Sequence, residues 1–171
     1  LGTYFLEEGG LFLESAVETR VVFAEETVSE AKEDIKRLMH GHWAEIAHYK
    51  DIPLEPDYET YEKIEVFKKL RVFTIRKDAE LIGYAIFFLN PAPHYVSSMQ
   101  AIQNVLYLHP DYRRGGTGGR FIKWCDAQLK LANVQVVMHH VKAAHNFGPL
   151  LERMGYELTD HLYAKRLDKW E

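Results

Sequence analysis

The stretch LHPDYRRGGTGGRFIKW, residues 108–124, decides how the rest of the chain is read. Two arginines, Arg113 and Arg114, lead into five residues of which four are glycine, and an amphipathic run follows at once. A flexible linker does not need the arginines, and a helix cap needs one glycine rather than four. Glycine within a helix costs roughly 1 kcal/mol relative to alanine, so several at a helix start ask for a compensating role. Backbone without β-carbons lets a ligand approach closely, and the first amide N–H groups of a helix have no partner inside it. With Arg113, Arg114 and Arg120 beside them, these groups describe a site for an anion.

Two common phosphate loops do not fit. A P-loop requires lysine and then serine or threonine after its last glycine, where this chain has Arg120 and Phe121. A dinucleotide fingerprint requires a third glycine three residues after Gly116-Thr117-Gly118, where this chain again has Phe121.

A third pattern fits. Arg113-Arg114-Gly115-Gly116-Thr117-Gly118 matches Arg/Gln-x-x-Gly-x-Gly/Ala and resembles the pyrophosphate loop of the GNAT superfamily of N-acetyltransferases. A later stretch, HNFGPLLERMGYE (residues 145–157), resembles the asparagine, helix, glycine and aromatic signature of the same superfamily. The resemblance covers most of the chain beyond the first fifteen or so residues. It implies an α+β fold, an α/β/α sandwich whose mixed central sheet is mostly antiparallel with one parallel strand pair. It also implies acetyl-CoA as donor, lying in a V-shaped opening between parallel strands at residues 106–108 and 137–141. Main-chain groups of the segment Leu106, Tyr107 and Leu108 would pair with the pantetheine arm. The loop Arg113, Arg114, Gly115, Gly116, Thr117, Gly118 and Gly119 would hold the pyrophosphate, and Asn146 completes the expected cofactor set.

Acetyl transfer needs an amine without its proton, a stabiliser for the thioester carbonyl oxygen, and often an acid for the departing thiolate. The resemblance places that acid on a tyrosine four residues before the late glycine, but here the position holds Leu151. Tyr156, with Tyr163 behind it, is the substitute, and a thiolate can also leave unaided. Some members of the superfamily carry a carboxylate base sixteen residues before the same glycine. Here that residue is His139, whose unperturbed pKa of about 6.5 suits proton removal near neutrality. His140 faces the other way on a strand, and a water relay is the alternative to either.

The remaining sequence falls into place around these motifs. Residues 17–24 read as a strand, and Thr27-Val28-Ser29-Glu30 as a capping box opening a helix with Ile35, Leu38, Met39 and Trp43 on one stripe. Asp57 opens a second helix carrying Tyr61, Ile64, Phe67 and Leu70. Two strands flank the turn at residues 77–80, residues 90–98 form a loop, and residues 100–108 form a third strand. A helix over residues 116–131, a strand over 134–141, a short helix over 145–154 and a closing hairpin over 155–167 complete the order. Residues 1–15 are an extension of unread role, and residues 16–171 form a single domain.

Composition bounds the function. Hydrophobic residues make up 47% and charged residues 27% of the 171, ordinary globular usage, and the formal net charge is −4. That balance disfavours nucleic-acid and anionic-membrane partners. No apolar run approaches the roughly 20 residues of a membrane-spanning helix, the first residues lack a basic leader, and one cysteine, Cys125, suits a reducing compartment. The expectation is a cytoplasmic enzyme without a metal, since no Cys/His cluster has zinc spacing; a homodimer is compatible with it. Residues 51–65 hold six acids, Asp51, Glu55, Asp57, Glu59, Glu62 and Glu65, against Lys63. In the resembling fold this segment walls the acceptor site, so it would draw a cationic amine such as a polyamine, an aminoglycoside-like amine or a lysine side chain. The rival reading is a CoA-binding module that has lost catalysis.

Overall fold

The computed structural model describes residues 20–169; the 1–15 extension and the first residues of the expected opening strand lie outside the described residues. The elements are β1 (Val21–Glu26), α1 (Val28–Ile46), α2 (Tyr58–Val66), β2 (Leu70–Lys77), β3 (Glu80–Ala92), β4 (Tyr95–Leu108), α3 (Thr117–Leu131), β5 (Val136–Met138) and α4 (Gly148–Arg153). The sheet runs β1-β2-β3-β4-β5; its first four strands pair antiparallel, and β4 and β5 pair parallel.

Alternation along the strands builds two cores. Phe73, Ile75, Phe87 and Ala101 meet Phe121, Cys125 and Leu129 of α3 on one face. Val72, Tyr84 and Ile86 meet Val28, Ala31 and Ile35 of α1 on the other, with Tyr61 and Ile64 of α2 packed at its margin. Full burial of a side chain such as Phe121 contributes on the order of 1.5–3 kcal/mol, so the two faces together hold the sheet between its helices. This is the expected mixed sandwich.

Local chemistry sets the element boundaries. The capping box forms: Glu30 N–H donates to Thr27 Oγ1 at 3.2 Å, and Thr27 N–H donates to Glu30 Oε2 at 2.8 Å. Asp57 caps α2 by accepting from Thr60 N–H at 2.9 Å. Asp78 and Ala79 both have positive φ, 50° and 70°, the two-residue turn whose twist matches a hairpin. Gly83 permits a close approach of β3 and β4, because a β-carbon there would lie 2.7 Å from the Tyr107 carbonyl oxygen.

Several expectations need correction. The stripe of α1 continues from Ile35 to His42, seven residues on, and it is His42 rather than Trp43 that is buried. Phe67 is exposed at the end of α2, Lys68 takes a positive φ of 57°, and Leu70 starts β2. Residues 90–98 are not a loop but the far end of the β3–β4 hairpin, turning at residues 93–94. Pro91 is tolerated there because β2 stops pairing at Phe88, so that edge of β3 has no ladder to lose. β5 is three residues long rather than eight, and α4 spans six residues rather than ten. Residues 155–167 form no hairpin. Leu158, Leu162 and Tyr163 are exposed, and the segment is fastened by charge: Arg166 reaches Asp51 at 3.1 Å and lies over the Tyr49 ring at 5.3 Å.

Candidate active site

The β4–β5 ladder is confined to Gln100↔Val136, Ala101↔Val137 and Ile102↔Met138. β4 then runs on to Leu108 while β5 ends at Met138, so the ladder between the two strands stops before residue 103. A bulge marks the same point, since Ile86 pairs with Val105 and Phe87 with Gln103, leaving Asn104 as the extra residue. Among the described residues no strand covers the β5-side edge of residues 103–108, which include Leu106, Tyr107 and Leu108.

The glycine loop lies at the end of this open edge. Gly115 and Gly116 have φ of 72° and 75°, a conformation that leaves little choice of residue, and Gly116 is the N-cap of α3. Gly118 is different. Its backbone is helical, and a β-carbon there would meet only Leu108 Cδ2 at 3.8 Å, ordinary contact distance. Neither backbone nor packing demands glycine at 118, so the space above the first turn of α3 is available to a ligand.

The arginines divide their work. Arg113 turns away from the loop, donating through Nε to the Leu108 carbonyl at 2.8 Å and through its other nitrogens to Glu45 of α1. Arg120 folds back over the loop, donating to the Gly115 carbonyl at 2.8 Å and to the hydroxyl of the buried Thr117 at 3.1 Å. Arg114 is exposed and makes no ion pair among the described residues. Asn146 uses Oδ1 to accept from Gly148 N–H at 2.8 Å, securing the entry to α4.

His139 and Tyr156 are brought together. The Tyr156 hydroxyl lies 3.3 Å from His139 Nε2, and His139 Nδ1 lies 2.8 Å from Gln103 Oε1. The same hydroxyl donates to Asp126 Oδ1 of α3 at 2.5 Å. The ring of His139 stands edge-on to Phe87 and Phe147. Burial pushes its pKa down to about 4, with His140 adding a smaller push, so the ring is neutral at neutral pH. Burial, then the Asp126 partner, raises the Tyr156 phenol, and burial also raises Asp126 against the opposing hydrogen bond. His140 is exposed, Tyr163 is exposed, and Leu151 is buried in α4.

Gln103 and Asp126 were not foreseen, although each leaves a trace in the pattern. Asp126 follows Ile122 by four and precedes Leu129 by three, a slot that the buried stripe of α3 would otherwise fill with an apolar residue. Gln103 occupies an inward strand position two after the buried Ala101.

On the α2 side of the opening, Asn104 Nδ2 donates to the Tyr61 hydroxyl at 2.8 Å, and the Tyr61 ring lies parallel to Phe88 at 6.0 Å. Beside them is a hollow of about 320 Å³, lined by Glu55, Asp57, Thr60, Tyr61, Ile64 and Phe88. Hydrogen bonds from Thr60 hold Asp57 below the usual carboxylate range, and Glu55 has no ion-pair partner among the described residues.

Residues 68–158, more than half of the chain, match the family model of the acetyltransferase (GNAT) domain. The chain belongs to the GNAT acetyltransferase family. Its fold is shared with a transcriptional regulator from Bacillus halodurans C-125, with a TM-score of 0.71, 16% identity, and coverage of 86% of this chain and 100% of that one. A ribosomal-protein-alanine N-acetyltransferase from Brucella melitensis biovar Abortus 2308 superposes with a TM-score of 0.65 at 17% identity, covering 86% and 99%. A predicted acetyltransferase from Clostridium acetobutylicum, solved with acetyl-CoA, gives a TM-score of 0.63 at 12% identity, covering 86% and 97%. At these identities the likeness is one of fold. A search of curated proteins finds no significant match to the sequence. Within this GNAT fold, none of the described helices is long and apolar enough to cross a membrane.

Proposed function

We propose that this GNAT protein transfers an acetyl group from acetyl-CoA to a primary amine that carries positive charge. The observation that carries the reading is the open edge of β4 ending in a glycine nest whose Gly118 is not required by the fold itself. The main chain of Leu106 and Leu108 supports an extended pantetheine arm, and the N–H groups at residues 116–119, with Arg114 and Arg120, support the pyrophosphate. Acetyl-CoA supplies the activated thioester. Once the attacking nitrogen has given up its ammonium proton to the medium, the carbon–sulfur bond breaks, a carbon–nitrogen bond forms, and the neutral amine loses one further proton while the thiolate gains one.

The residue suited to taking that proton is His139, neutral at working pH, with Tyr156 beside its ring. The acceptor approaches from the α2 side, where the acid-rimmed hollow and the Tyr61 and Phe88 rings favour an ammonium group. A second reading is favoured by one residue. Leu151 stands where the superfamily resemblance puts a phenol, which fits a module that binds CoA without turnover.

An amine panel containing spermidine, an aminoglycoside, a lysine peptide and uncharged-tail monoamines, with release of free CoA monitored, tests the proposal. Transfer to the polycationic members is expected. Calorimetric CoA binding with no release for any amine would replace the enzyme with the binding module.

A further inference from the structure

We infer that Asp126 of α3 is a positioning residue that decides which nitrogen of His139 carries the proton, acting through the Tyr156 hydroxyl. Four side chains from four parts of the chain meet in one line: Asp126 from α3, Tyr156 from the segment after α4, His139 from the residue after β5, and Gln103 from β4. Their sequence separations exclude a local turn motif as the cause.

The hydrogen count settles the direction. A phenol has one hydrogen to donate, and two acceptors compete for it. Asp126 Oδ1 is nearer, at 2.5 Å against 3.3 Å for His139 Nε2, and 2.5 Å lies within the range of an O–H···O⁻ bond, which is about twice as strong as a neutral one. The hydrogen therefore goes to Asp126, and the phenol presents a lone pair to His139. That lone pair needs an N–H opposite it, so Nε2 is the protonated nitrogen. A neutral imidazole has one such hydrogen, which leaves Nδ1 bare and facing the Gln103 amide. Gln103 meets it by presenting its NH₂ group, since the two ends of an amide exchange by a half-turn and are assigned from their partners.

Without the Asp126 carboxylate the line reverses. Tyr156 donates to Nε2, the ring hydrogen moves to Nδ1, and Gln103 accepts it through Oε1. Asp126 thus sets the tautomer from two bonds away. The consequence for the site is that the basic lone pair of His139 is on Nδ1, while the hydroxyl hydrogen of Tyr156 is committed to Asp126. Tyr156 is then the anchor of His139 rather than the acid for the thiolate. The catalytic meaning of this arrangement rests on the proposed acetyl transfer; the tautomer assignment does not.

The test is nitrogen-15 NMR of the full chain labelled at histidine, with the His139 ring signals identified by their loss in His139→Gln. The expected result is an Nε2–H tautomer at neutral pH in the natural protein, changing to Nδ1–H in Asp126→Ala. Tyr156→Phe removes the relay without removing the acid and should release the same preference, so it decides the matter if Asp126→Ala does not fold. An Nδ1–H tautomer in the natural protein, or an unchanged tautomer in the folded variants, overturns the inference. In the acetyl-transfer assay Asp126→Ala should lower kcat at least about tenfold while the KM for acetyl-CoA stays within about twofold, and Asp126→Glu should restore part of kcat. Full kcat in Asp126→Ala would remove the positioning role even if the tautomer switches. Absence of transfer in every protein, with the tautomer switch present, would overturn the acetyl-transfer reading and leave the Asp126 assignment standing.

Discussion

Arg113 holds Glu45 by two hydrogen bonds, Nη1 to Oε1 at 2.7 Å and Nη2 to Oε2 at 2.6 Å, and so ties the glycine loop to the C-terminal turns of α1. Glu45 also lies 4.0 Å from His145, on the stretch that leads into α4. One carboxylate therefore touches segments from both sides of the β4–β5 opening, and its charge stands close to where a polyanion would bind.

Glu45→Gln is expected to tighten CoA binding on the order of two- to five-fold at low salt, the scale of a partly exposed charge interaction. The effect should shrink as salt rises, because screening weakens interactions between exposed charges. Calorimetry at two ionic strengths checks this. Weaker binding in the variant would mean that tethering Arg113 matters more than the charge it brings.

Gly118→Glu separates ligand binding from folding. The backbone there is helical and the β-carbon position is open, so the fold should keep or gain about 0.5–1 kcal/mol from better helix propensity and an acid in the first turn of α3. CoA binding should disappear, since the carboxylate would enter the proposed pyrophosphate nest. Gly116→Ala should do the opposite. It must hold a β-carbon at φ 75°, at a cost of roughly 1–2 kcal/mol in stability. Melting curves and CoA titrations on both variants test the pair, and retained CoA affinity in a folded Gly118→Glu protein would sink the nest.

Stability should rise with pH between about 4 and 6.5. His42 is buried in α1, bonded through Nδ1 to the Tyr84 hydroxyl at 3.0 Å and stacked on Tyr107, and burial lowers its pKa to about 4. His139 is lowered to about 4 for the same reason. In the unfolded chain both rings take up a proton near pH 6.5, whereas in the folded protein they resist until about pH 4. Within that window the unfolded state binds more protons, so acidification favours unfolding by up to about 1.4 kcal/mol per pH unit for each ring. Urea denaturation at pH 5.0 and 6.0 should show this slope, and His42→Gln should remove about half of it. A slope unchanged by the substitution would exclude His42 as a source.

The GNAT resemblance carried by the sequence implied the sandwich. The residues themselves determined the order of the elements up to α4 and the place of the glycine loop. Each rests on local physics: strand alternation, helix stripes, side chains capping N–H groups three residues away, and glycines that free a backbone. The resemblance, rather than local physics, brought His139 and Tyr156 into view, His139 by its distance from Gly155 and Tyr156 as the phenol next to that glycine. Tertiary structure decided what those side chains touch. Gln103 reaches His139 from β4 and Asp126 reaches Tyr156 from α3, each separated from its partner in sequence, and no periodicity measures a distance across a sheet. It decided that Arg113 serves Glu45, because the end of α1 comes to rest beside the loop. It also decided that residues 155–167 form no hairpin: their apolar alternation suits a strand, but strand formation needs a neighbouring edge, and here ion pairs to Asp51 carry the chain to α1–α2 instead.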